Sequence, residues 1–133
     1  MSSRWWALTL LVACSARGEP RCETCAMRVD PSNAFYSEIE AGDGSKHVYD
    51  TPRCAFGALG KYPGATLWVR EYYNQDRRRA AELRFVEHSD VIGPMGPELI
   101  PVDPASVTQF VTGHGGGRIS SYEEAAARNR GAP

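Results

Sequence analysis

The sequence predicts an α+β fold: two small ββαβ-like halves in one compact domain. Three observations predict it. A hairpin, a helix and a strand follow one another twice, each helix opens on a local cap, and the candidate strands are short and bounded by Gly, Pro or Asn turns. A chain of 133 residues suits one domain.

In the first half, residues 35–41 alternate in polarity, Gly42-Asp43-Gly44 turns the chain, and residues 46–49 return. Thr51 is placed to cap a short helix with Pro52 at its first position and Phe56 and Leu59 on one face. Residues 65–73, with Val69, Trp68 and Tyr72, have strand composition. After a turn at Asn74-Gln75-Asp76, helix and strand compete over residues 77–88. Ala80 to Leu83 favour helix; Leu83 and Phe85 alternating with Arg84 favour strand, and strand is the reading adopted. The run Arg77-Arg78-Arg79 reads as a solvated turn.

In the second half, residues 91–97 read as loop and residues 98–102 as a brief strand. Asp103 caps a second helix with Pro104 next and Val107, Phe110 and Val111 on one face, ended by Gly113 or the glycines after it. Residues 118–122 form a last strand. Ser121 and Glu124 make a capping box for a C-terminal helix reaching Arg128, with residues 129–133 as a disordered tail. The two halves share no detectable sequence repeat.

Hydrophobic residues make up 42%, charged residues 23%, and the formal net charge is -1, so neither a nucleic-acid footprint nor an acidic solvating tail is indicated. Residues 1–13 read as a signal segment. Arg4 precedes an apolar run that is too short for the roughly 20 residues of a membrane span. The run ends in Leu11-Val12-Ala13-Cys14, which resembles a bacterial lipobox. Cleavage before Cys14 and acylation of its thiol would anchor a soluble domain to the membrane. Ser15 rather than Asp follows, which favours the outer membrane and a periplasm-facing domain. Residues 14–21 form the lipidated tether and residues 22–128 the binding domain.

Of four cysteines, setting Cys14 aside for lipid leaves Cys22, Cys25 and Cys54, an odd set that favours metal binding or a reactive thiol over a disulfide framework. Three readings follow. A thiol–disulfide oxidoreductase would place Cys22-x-x-Cys25 at a helix N-terminus, but Asp30-Pro31 leaves little room for one. A structural zinc site would combine the three cysteines with one of His47, His88 or His114. The third reading is Cu(I), which thiolate and thioether ligands select. Met27 lies two residues beyond Cys25 and would share its face in an extended segment. Met95, in Gly93-Pro94-Met95-Gly96-Pro97, sits in a loop where core packing explains it poorly. Cys54 is either a buried small hydrophobe or an extra thiolate. His47 reads as an exposed strand residue and His114 as a helix end; His88 could fold back toward Met95 as an auxiliary ligand. His114 to Arg118 lacks the Lys-Ser/Thr ending of a phosphate loop.

Several stretches together resemble the NosL family of nitrous oxide reductase accessory lipoproteins. They are CETCAM at residues 22–27, HVYDTPRCAF at 47–56, LWVREY at 67–72, SDVIGPMGPELIPV at 89–102 and VTQFVTGHGGGRISSYEE at 107–124. The resemblance implies two ββαβ halves and a Cu(I)-binding, non-enzymatic metallochaperone. Its partners would be nitrous oxide reductase and an ABC-type maturation complex with a periplasmic subunit. By position it implies Cys25, Met27 and Met95 as metal ligands, with Cys22 next; Cys22 would tune the site or pair with Cys25 in a disulfide that switches binding off. The chain departs in carrying Ala26 where the family often has glycine. It also carries the Arg77–Arg79 run where a tryptophan-containing hairpin is more usual.

Overall fold

The computed structural model describes residues 18–131. The expected signal segment, Cys14 and the start of the tether lie outside the described residues. Nine strands and three α-helices are described. They are β1 (Ser37–Glu40), β2 (Lys46–Tyr49), α1 (Pro52–Ala58), β3 (Thr66–Arg70), β4 (Arg77–Arg79), β5 (Arg84–Glu87), β6 (Ile92–Gly93), β7 (Gly96–Pro97), β8 (Ile100–Val102), α2 (Val107–His114), β9 (Arg118–Ser120) and α3 (Tyr122–Asn129). Among the described residues no helix is long and apolar enough to cross a membrane.

The two halves are two antiparallel sheets, ordered β2-β1-β3-β4 and β8-β5-β9. In both, the half's first strand lies in the middle, flanked by the second and by the strand that follows the helix. The ββαβ plan therefore holds twice, with β4 added to the edge of the first sheet. The larger core cluster includes Ile39, Tyr49, Phe56, Leu67, Phe85 and Leu99, and the two phenylalanine rings meet edge to face at 4.9 Å. The smaller holds Val86, Ile100, Val102 and Phe110.

Helix starts obey local chemistry. Thr51 Oγ1 accepts the Cys54 N–H at 3.2 Å, and Pro52 gives up no hydrogen bond at the first helical position. Asp103 Oδ1 accepts from Ala105 at 2.9 Å, which tightens the start into a 3₁₀ turn, Pro104–Ser106, before α2. Ser121 and Glu124 form the reciprocal capping box of α3. The glycines after α2 are needed: a Cβ on Gly116 (φ 156°) would lie 2.6 Å from Val86 Cγ1.

Three expectations are corrected. Residues 77–88 are not one strand: β4 and β5 belong to different sheets, separated by a 3₁₀ turn at Ala80–Glu82 that buries Ala80. The arginine run is an edge strand, not a solvated turn. Arg77 lies 3.8 Å from the Trp68 ring centroid and pairs with Glu38 at 2.8 Å, so an aromatic partner on β3 and a carboxylate on β1 hold it down. The loop at residues 91–97 contains the small β6–β7 hairpin, with Met95 in its turn. Hydrogen bonds and burial are also found near both ends of the described residues. Pro20 accepts the Val29 N–H at 2.8 Å, Asn129 is buried in α3, and the Gly131 N–H reaches Gly57 at 3.1 Å.

Candidate metal centre

Residues 22–29 form a folded-back loop, with no helix following the first cysteine. The Cys22 N–H donates to the Met27 carbonyl at 2.8 Å and the Ala26 N–H to the Cys22 carbonyl at 2.8 Å. Closing so tight a loop forces Ala26 into the left-handed region, φ 62°. The extended segment expected between Cys25 and Met27 is therefore absent. The Met27 backbone N–H favours the Cys25 thiolate, against the larger opposing effect of burial.

The loop docks on the first half. Thr24 Oγ1 donates to the Cys54 carbonyl at 2.9 Å. The Glu23 carboxylate accepts from Tyr49 Oη at 3.3 Å and from Tyr62, and pairs with His47 Nδ1 at 2.8 Å. His47, expected to be exposed, is half-buried and stacked on Tyr62 with centroids 4.2 Å apart. These contacts press the loop against the start of α1, and three thiols converge there. The sulfurs of Cys22, Cys25 and Cys54 all lie within 4.8 Å of one another. All three are free. A metal–thiolate bond is about 2.3 Å, so three sulfurs around one ion stand about 4 Å apart, and even the widest allowed pair closes by movement of less than about 1 Å.

The three sulfurs are unequal. Cys22 and Cys54 are buried, and Cys25 is half-buried at the mouth. The Cys22 thiol is lowered to about 5. The Cys54 S–H directed at its sulfur is the largest cause, and the Asp50 and Cys25 N–H groups add to it; together they outweigh the opposing effect of burial. Cys54 is pushed up, first because it donates that bond and second by burial. Burial also raises Cys25. Of the three thiols, Cys22 is therefore the most readily ionised.

Cys54 is the ligand candidate that the sequence left undecided. Its position one turn into a capped helix fitted either packing or an extra thiolate, and nothing local revealed that the loop around Cys22 would fold onto it. Met27 is 40% and Met95 50% exposed, so neither is core filler. Met95 stands in the β6–β7 turn, whose root is fastened near α1: Glu98 Oε1 accepts the Arg53 N–H at 2.8 Å. His88 falls outside the thiol group; it is exposed, has φ 62° and lies against Gly117, because the chain turns away as it leaves β5. His114 ends α2 as expected and pairs with Asp90 at 2.9 Å. No histidine joins the three cysteines among the described residues, as the zinc reading required.

Comparison with curated proteins returns no match. Among solved structures, the fold is similar to the crystal structure of the copper chaperone NosL from Shewanella denitrificans. The TM-score is 0.67 at 17% identity, over 78% of this chain and 87% of that one. The sequence profile of the NosL family matches residues 13–128, and the chain belongs to that family.

Proposed function

We propose that this protein is a lipid-anchored, periplasm-facing carrier of Cu(I) that supplies copper to nitrous oxide reductase, working with an ABC-type maturation complex and its periplasmic subunit. The observation that carries the proposal is the convergence of Cys22, Cys25 and Cys54 at one point. Soft sulfur ligands with no histidine or carboxylate among them favour Cu(I) over harder ions. Family membership and the chaperone fold support the same cargo, and the lipobox at Cys14 supports the anchor.

The role is that of a carrier, not an enzyme. Cys22 offers a ready thiolate. Cu(I) binding draws the remaining thiols in and releases their protons. Cys25, at the mouth, is the thiol that an acceptor's ligand can reach, and Met27 and Met95 offer thioethers on the exposed side. Transfer is then ligand exchange: an acceptor sulfur or imidazole bonds as one of these sulfurs leaves. A fully enclosed four-coordinate site would block that step.

Anaerobic titration of the purified full-length chain with Cu(I) and Zn(II), against competing chelators, tests the proposal. One Cu(I) should bind, and replacing Met27 and Met95 with Leu should weaken Cu(I) while leaving Zn(II) unchanged. Affinity should fall as pH drops through neutrality, because Cys25 and Cys54 enter as protonated thiols, and fall faster below about 5 as Cys22 takes up its proton. Equal loss of both metals in the methionine variant would remove the copper reading. Disulfide reductase activity that survives methionine replacement and is lost in Cys22→Ser would favour an oxidoreductase. Transfer from the loaded chain to metal-free nitrous oxide reductase tests the acceptor.

A further inference from the structure

Glu98 is 2% exposed, so its carboxylate has been carried into the interior at the start of α1. Oε1 accepts two backbone N–H groups, from Arg53 at 2.8 Å and Leu99 at 2.9 Å. Oε2 is buried with no hydrogen-bond partner among the described residues. Burying a carboxylate with one oxygen unpaired costs free energy that an amide or apolar side chain would largely avoid. The placement of the side chain supplies a reason for it. Glu98 directly follows β7, and its stem crosses back over β6: a Cβ on Gly93 would lie 3.3 Å from both Cβ and Cγ of Glu98. Glycine at 93 leaves room for that stem. One side chain thus touches both strands of the hairpin and reaches the residue before Cys54. An isolated hairpin of two short strands is at best marginally stable. Met95, half exposed in its turn, depends on the root for its position.

We infer that Glu98 is a positioning residue that fastens the Met95 hairpin to the helix carrying Cys54, so that the Met95 thioether is presented to the thiol cluster. The inference rests on the reading of Met95 as a ligand given above. Outer groups that hold a metal ligand typically change affinity 10–100-fold when removed.

A double-mutant cycle on the full-length chain tests it, read as Cu(I) affinity under anaerobic competition with Zn(II) affinity alongside. Glu98→Ala should weaken Cu(I) by about tenfold, whereas Glu98→Gln, which keeps the Oε1 acceptor, should match the parent. In a Met95→Leu background Glu98→Ala should cost nothing further, and Zn(II) affinity should stay constant throughout. Gly93→Ala, which presses on the Glu98 stem without removing it, should reproduce the Met95-dependent loss and carries the cycle if Glu98→Ala fails to fold. An equal Cu(I) loss from Glu98→Ala, or from Gly93→Ala, with and without Met95 would overturn the inference and leave Met95 as a ligand. No loss in Met95→Leu alone would overturn both.

Discussion

Thr51-Pro52-Arg53-Cys54 opens the helix of the first half, and Asp103-Pro104-Ala105-Ser106 opens that of the second. Each follows the outer strand of a sheet whose first strand lies in the middle. The cap accepts from the third residue after it in one case and from the second in the other. That one-residue difference lets α1 start at Pro52, with Cys54 buried in its first turn. It delays α2 to Val107, leaving Ser106 in the preceding 3₁₀ turn. The larger difference is what covers the helix start. Residues 22–29 fold over α1 and bring two more thiols, while the described contacts give α2 no such loop. A shared strand plan therefore provides the platform, and the site comes from a segment added to one copy of it.

The comparison can be broken at the cores first. Phe56 and Phe110 are both fully buried, one in each cluster. Truncating a buried phenylalanine to Ala costs about 3–5 kcal/mol. Phe56→Ala should fall at the upper end in chemical denaturation and weaken metal binding, because α1 carries Cys54. Phe110→Ala should fall at the lower end and leave metal binding intact once folded. Equal metal losses would mean the halves are not separable in function.

Exchanging the equivalent residues sharpens the point. Cys54→Ala removes a thiol and the donor that stabilises the Cys22 thiolate. Cu(I) affinity should drop by on the order of a hundredfold, at or beyond the upper end of what outer partners contribute. The thiolate step in ultraviolet absorbance, at about 5 for Cys22 in the parent, should move upward. Ser106→Cys should leave the stoichiometry at one Cu(I) per chain, since no loop supplies partners there.

The smallest effect concerns backbone strain. Ala26 in the loop and His88 at the end of β5 both have φ 62°. A left-handed alanine costs roughly 1–2 kcal/mol, and glycine gives back about 0.4–1 kcal/mol through its freer unfolded chain. Ala26→Gly should therefore raise stability by a few tenths to about 1 kcal/mol in denaturant titration. His88→Gly should gain less, because histidine tolerates this region better. A loss in Ala26→Gly would show that the methyl group itself packs in the loop.

Much was legible in the sequence because it depends on near neighbours. The caps at Thr51, Asp103 and Ser121 act over two or three residues, as do the Gly42–Gly44 turn and the alternation of the β1–β2 hairpin. Asp30-Pro31 excluded a helix after Cys25 for the same local reason. The α+β class and the ββαβ order followed from these signals, and Cys22 and Cys25, two of the three clustered thiols, stood out as candidate ligands. Tertiary structure decided what depends on distant partners. Cys54 joins Cys22 and Cys25 only because Thr24, Tyr49 and Tyr62 hold the loop against α1. Ala26 turns left-handed only because that loop closes, and Arg77 becomes an edge strand only because Trp68 and Glu38 lie beside it. Local torsional preference and capping act within a few bonds of the residue, whereas the convergence of three sulfurs depends on packing between segments some thirty residues apart.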